Sequence, residues 1–164
     1  MNWGYPILLF AQLVIAIVLG AVATYLSIVL LNRATRGIDE WQALRDGNVA
    51  VGIVLGAMVI GVVSVLRPAL NLPIAGWDVG SIRVWVALGV EVVQMLLGLV
   101  LAVISILFAV WLFDRLTTQL DEFAELERGN VAVAALLAGV IIGVSLLVGI
   151  ALEGMFQLIT PYLF

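Results

Sequence analysis

The residues able to do chemistry are few. Glu91 and Gln94 stand within one turn of each other inside a long apolar run, Gln12 stands inside another, and Asn48 and Asn130 each stand at the mouth of a further one. A carboxylate in such a setting can ligate a cation or carry a proton, and amides can line the approach to it. Groups of this kind are costly in hydrocarbon, so they mark either function or a wet boundary. Histidine and cysteine are absent. That removes imidazole acid/base work, thiolate nucleophiles, disulfides and nearly every zinc, copper or haem site. No Ser or Thr has a His to activate it, and neither an HExxH nor a Walker sequence occurs. The sequence therefore predicts no catalytic residue, no metal centre, no cofactor and no enzyme.

Glu91 admits two readings. An ionised carboxylate at the centre of a bilayer costs about 2.5–3.5 kcal/mol on insertion scales. It is expected either as a solvated group near the outer interface or as an ion or proton ligand. Glu153, near the end of the last apolar run, is expected in solvent. Arg67 and Arg83 fall on the same outer side and can pair with either carboxylate.

The elements that hold these residues follow from composition. Hydrophobic residues make up 65% of the 164-residue chain and charged residues 11%, with a mean hydropathy of +1.27. A water-soluble domain usually carries a charged share of roughly 25%, so this is an integral membrane protein. Four runs can cross a hydrocarbon core of about 30 Å as helices: Ile7 to Leu31, Val49 to Leu66, Val84 to Phe113 and Val131 to Leu152. The third is too long to cross untilted, so its first turns lean or protrude. No Lys or Arg precedes the first run, which is expected to stay as a helix rather than be removed as a signal peptide.

Arginine sets the orientation. Arg33, Arg36, Arg45, Arg115 and Arg128 lie in the connectors after the first and third runs, against Arg67 and Arg83 on the opposite side. The connectors are expected in the cytoplasm, with both termini outside. The net charge of −4, with no basic cluster, argues against a nucleic-acid partner.

The chain also repeats itself. DEWQALRDGNVAV from Asp39 returns as DEFAELERGNVAV from Asp121, an offset of 82 residues that also brings Arg33 onto Arg115. This reads as a tandem duplication, residues 1–82 and 83–164, within one membrane domain. Two spans per unit make the repeat parallel, about a pseudo-twofold along the membrane normal. In each connector Ile38, Trp41 and Leu44, or Leu120, Phe123 and Leu126, share one side of a short helix, which predicts an amphipathic helix lying in the interface. Asp39 or Asp121 can cap its start, Gly47 or Gly129 can end it, and Asn48 or Asn130 can cap the next span. A second reading has the two asparagines also lining a polar entrance.

Small residues repeat with the same offset. Gln12, Ala16, Gly20, Ala23 and Ser27 share a face of the first span, and their counterparts are Gln94, Gly98, Ala102, Ser105 and Ala109. The second span carries Gly52 and Gly56 on the side of Asn48, with Ala57, Gly61 and Ser64 opposite. The fourth carries Ala134 and Ala138, then Gly139 and Gly143. In lipid, close packing drives helix association, so these stripes are expected to be helix contacts, with the second and fourth spans at the centre of the subunit or at an oligomer contact. The sharper alternative is a path flanked by small residues, with the glutamines near its outer mouth.

The duplicated unit, with its acidic-aromatic connector and Gly-Asn-Val-Ala entry at Gly47 to Ala50 and Gly129 to Ala132, resembles the small bacterial inner-membrane proteins of domain of unknown function family 350. Members commonly contain two such units. The resemblance implies a multi-pass protein of the bacterial inner membrane linked to membrane stress, and it carries no reaction and no catalytic residue. The expected fold is all-α, four transmembrane helices as a parallel duplication, each unit with a short cytoplasmic interfacial helix. Two functions fit: a non-catalytic component that self-associates or binds another membrane protein, or a small oligomeric ion channel or transporter with its path between repeats or subunits. The partners expected are the lipid bilayer and further copies or a larger membrane complex. If both connectors are cytoplasmic, cysteines introduced at Thr35 and Thr118 should resist an impermeant thiol reagent in intact cells while one at Ala75 is labelled; the reverse labelling would overturn the orientation.

Overall fold

Lipid offers a backbone no hydrogen-bond partner, so a chain this apolar must satisfy its N–H and C=O groups internally, and helices do so within each segment. A computed structural model describes residues 4–34, 40–70, 81–117 and 122–163, and it is helical with no strand among them. Four long helices, α1 (Gly4–Ala34), α3 (Val49–Leu66), α4 (Ile82–Leu116) and α6 (Val131–Leu163), alternate with two short ones, α2 (Glu40–Arg45) and α5 (Glu122–Glu127). A 3-10 turn, Arg67–Leu70, follows α3. Each of the four long helices contains a stretch long and apolar enough to cross a membrane, which makes this a multi-pass membrane protein. The last helix continues well past the expected end at Leu152, because no residue before Pro161 interrupts it.

The expected caps Asp39 and Asp121, together with Ile38, Leu120 and Arg36, lie outside the described residues, as do the side chains of Gln12, Arg33 and Arg83. The two elbows can be compared directly. In each, the short helix ends on a glycine with positive φ, 77° at Gly47 and 80° at Gly129. Gly47 N–H bonds the Leu44 carbonyl and Asn48 N–H bonds the Ala43 carbonyl; Gly129 and Asn130 make the same pair with Leu126 and Glu125. This is the Schellman closure, and its left-handed residue is one that glycine adopts without a Cβ penalty.

α3 and α6 run parallel, side by side. Asn48, at the start of α3, reaches the residues just before α6; Gly61 meets Ser145; and the Ser64 carbonyl meets Gly149 further along. α4 crosses both, with Gly98 seated on Val65 and Leu66 near the end of α3. The buried core is the meeting of these three helices and includes Met58, Val62, Val65, Ile106, Leu137 and Ile141. α1 packs on α4 and α3 and remains the most exposed span; among its described side chains only Ala23 and Ser27 are buried.

Glycine makes the α3–α6 approach possible. A methyl group on Gly61 would stand 2.7 Å from Ser145 Oγ, and one on Gly149 would stand 2.5 Å from the Ser64 carbonyl oxygen. Ser145 is fully buried, and its hydroxyl makes no hydrogen bond among the described residues. Gly61→Ala should therefore destabilise the fold in nanodiscs by about 1–3 kcal/mol through overpacking. Ser145→Ala alone should be neutral or stabilising, since it removes a buried unsatisfied hydroxyl, and in the double variant it should recover part of the Gly61→Ala loss. Purely additive effects on thermal unfolding would contradict this contact.

Candidate functional site

Two polar centres stand at opposite ends of the bundle. The first is the elbow end. Asn48 caps α3 by accepting from Val51 N–H at 3.2 Å, and its amide donates to the carbonyls of Leu126 and Glu127, at 2.9 and 3.2 Å, at the end of α5. One side chain thus caps a span and ties the first half of the chain to the second. Asn130 also caps, accepting from Ala132 and Val133 N–H at 3.1 and 3.4 Å. Its amide is held instead by Glu125 Oε2 at 2.7 Å, within its own half. Glu125 also pairs with Arg128 at 2.9 Å, an exposed pair that contributes little to stability. The two asparagines therefore have different partners, although their sequence settings match.

The second centre is on α4. Glu91 is 2% exposed and Gln94 7% exposed, flanked by Ala87 and Met95, both buried. Glu91 lies inside the membrane-crossing stretch that begins at Trp85. Its burial removes the solvated position that the sequence allowed. Glu153 and Arg67 are exposed, and Arg67 forms no ion pair among the described residues. Seven residues separate Glu91 from Gly98, which places the carboxylate about 10 Å beyond the end of α3. Asn48 is a full α3 length away in the other direction. The apolar core lies between, so within one chain the structure does not bring Glu91 and Gln94 together with Asn48 and Asn130. The side chain of Gln12 lies outside the described residues.

The small residues divide into closed and open positions. On α4, Gly98, Ala102 and Ser105 are buried, and Ser105 donates to the Ala102 carbonyl at 2.9 Å. On α1, Ala23 is buried, while Ala16 and Gly20 are half-buried. On α3, Ala57 and Gly61 are closed, Gly52 rests on Leu44 of α2, and Gly56 is open. On α6 the pattern reverses: Ala134 and Ala138 are buried, while Gly139 and Gly143 have no described atom within 4 Å of where a Cβ would stand. The α3–α6 seam therefore joins unlike faces. The pseudo-twofold expected from sequence would have joined like faces of α3 and α6; instead the Gly61 face of α3 meets the Ser145 face of α6.

Ser145 and Gly149 were not picked out by sequence. The signal available was the four-residue spacing Ile141, Ser145, Gly149, which is a single stripe on one helix face. A groove of about 690 Å³ runs between α1 and α3, from Trp41 and Tyr25 at the elbow end to Leu66 and Arg67 at the other. Its walls are mainly apolar.

The family profile described as Domain of Unknown Function (DUF350) matches residues 5–152. The chain belongs to the DUF350 family. The match spans both elbows, the whole of α3 and α4, and α6 as far as Leu152, so the features above are those of the DUF350 region itself. No curated protein and no solved structure matches the chain.

The Asn48 bridge can be separated from the Asn48 cap. Asp is also a good N-cap, but it offers no donor to the Leu126 and Glu127 carbonyls. Asn48→Asp should therefore cost about 1–3 kcal/mol in thermal or denaturant unfolding by leaving these acceptors facing a carboxylate. An Asn48→Asp variant as stable as the parent would show that the bridge contributes nothing.

Proposed function

We propose that this DUF350 protein is a non-catalytic component of a bacterial inner membrane that self-associates or binds another membrane protein through helix faces built of small residues. The observation that carries this reading is the open Gly139–Gly143 face of α6. It exposes backbone to lipid at the spacing that lets another helix approach closely, and in lipid such approach is what holds helices together. The same residue types are already used that way inside the chain, where Gly61 and Gly149 close the α3–α6 seam.

The rest of the proposal follows the sequence. The two halves are copies of one two-span unit, supported by elbows with the same hydrogen bonds and the same positive-φ glycine. α2 and α5 are interfacial helices on the cytoplasmic side, supported by the arginines of the connectors and by Trp41, whose exposed ring suits the headgroup level. In nanodiscs large enough for several copies, the protein should be found at multiples of its 17.6 kDa mass. A strictly monomeric protein at every protein-to-lipid ratio, with no co-purifying membrane partner, would overturn the reading.

Glu91 supports a second reading, a small oligomeric channel or transporter whose path lies between repeats or subunits. A carboxylate buried inside a membrane span is a group through which ions or protons can pass. Under this reading Glu91→Gln, which keeps the shape and removes the charge, should lower cation or proton flux from reconstituted vesicles while assembly is unchanged. Absence of flux from the assembled parent across several gradients and voltages would eliminate it.

A further inference from the structure

α3 and α6 close opposite faces of what sequence makes the same helix. α3 buries Ala57 and Gly61 and leaves Gly56, Val59 and Val63 outside. Shifted by 82 residues, those three outside positions become Ala138, Ile141 and Ser145, and these are the ones α6 buries. The positions α6 leaves outside, Gly139 and Gly143, are the counterparts of Ala57 and Gly61. The seam inside the chain thus joins one face of the first half to the other face of the second. Each half keeps free the face that the other has used.

The groove between α1 and α3 obeys the same relation. Ala16, Gly20 and Thr24 form part of one wall, Val59 and Val63 part of the other, and Trp41 stands at one end. Their counterparts in the second half are Gly98, Ala102 and Ile106 on α4, Ile141 and Ser145 on α6, and Phe123 on α5. All of these except the half-buried Phe123 are buried. α3 covers three of them directly: its Leu66 lies on Gly98, and its Gly61 lies on Ile141 and Ser145. The groove of about 690 Å³ is therefore an open counterpart of a groove that is already filled. The helix that fills it presents Ala57 and Gly61.

The helix in this chain that presents the equivalent face to the outside is α6. Its own position on the other side of α3 keeps it out of the α1–α3 groove of the same molecule. Resting on the self-association proposed above, we infer that α6 of a second copy of this chain occupies the α1–α3 groove. Gly139 and Gly143 then lie against Val59 and Val63, and the contact that α3 makes with α6 inside the chain is repeated between chains. Because α3 and α6 are parallel, the second copy enters the membrane in the same sense as the first, as copies of one membrane protein must. Asn130, the counterpart of the bridging Asn48, is carried toward Leu44 and Arg45, the counterparts of Leu126 and Glu127. The contact joins unlike surfaces, so every copy offers one of each; copies close into a ring of two or more about an axis along the membrane normal, or continue into an open row.

The absence of cysteine allows a clean test. Inside the chain, an added Cβ at Gly61 would stand 3.3 Å from Ser145 Cβ, close to the separation of about 3.5–4.5 Å found in disulfides. A Gly61→Cys/Ser145→Cys protein should cross-link within one molecule and reports that the fold is intact. The counterpart pair between chains is Gly143→Cys on one copy and Val63→Cys on another. When the two single variants are reconstituted together and oxidised, a covalent dimer should appear that neither variant forms alone. A single chain carrying both substitutions should cross-link with itself, as a doubly linked dimer from a ring of two or as a ladder of larger species from a larger ring or a row. Gly139→Leu, placed where the isolated chain has open space, should abolish the cross-link between chains and preserve the one within. If the mixture gives no cross-link while the parent still assembles by mass, the groove assignment fails and self-association survives through another surface. If the parent is monomeric, both fail. If Gly143→Cys alone cross-links as well as the mixture, the contact is twofold and the inference is wrong.

Discussion

A helix pair in lipid is held by how closely its backbones approach, because lipid tails are as apolar as the side chains and give no reason to exclude them. In this DUF350 protein the closest approach is between α3 and α6, where Gly61 and Gly149 lie against a buried serine and a backbone carbonyl. The other contacts are arranged around that line. α4 crosses it with its own glycine on Leu66, the 3-10 turn continues α3 past it, and α1 leans on the outside. A methyl group at Gly61 or Gly149 would press on Ser145 or on the Ser64 carbonyl, and α4 packs against both helices.

The polar groups are placed where this packing leaves room for them. The elbow asparagines sit where backbone donors would otherwise be orphaned, and each caps the span that follows it. Ser27 and Ser105 return their hydroxyls to carbonyls of their own helices. Glu91 is different in kind, because a carboxylate buried a few residues inside a span is retained at a cost that packing alone does not require. Its counterpart in the first half is Leu9. Whatever Glu91 contributes is therefore confined to one half, and it breaks the equivalence that the elbows preserve.

The helices were legible in the sequence because apolar length and the Gly-Asn signal act locally. Val49 and Val131 were expected as helix starts and are helix starts, since a glycine at positive φ followed by a capping amide leaves the chain little alternative. The end of α6 was not legible, because the apolar run was read only to Leu152, before Glu153, while the helix continues to Leu163. Which small residues meet which was also hidden. A stripe such as Ala57–Gly61 declares that something fits there, but not whether the partner is Gly143 or Ser145, since that depends on the rotation of a second helix about its own axis. The facing of Glu91 was legible, since it shares a helix face with Gly98, Ala102 and Ala109, but whether that face is covered so near the start of α4 was not. Gly98 rests on Val65 and Leu66, and the burial of Glu91 seven residues earlier on that face is a property of the bundle.

The Asn48 bridge has a consequence for biosynthesis. Its donor and acceptors are 78 residues apart, and translation proceeds at about 5–20 residues per second. For roughly 4–16 s, by that rate, the first hairpin has α3 packed only on α1, with its Ala57–Gly61 face bare. A neighbouring nascent chain whose second half has just been inserted offers the surface that face is shaped to meet. Polysomes that place ribosomes close together on one message would therefore bring α3 of one chain beside α6 of another before either has closed on itself. An exchange of that kind would satisfy the same α3–α6 seam as closure within one chain, so the spacing of ribosomes bears on which of the two forms first.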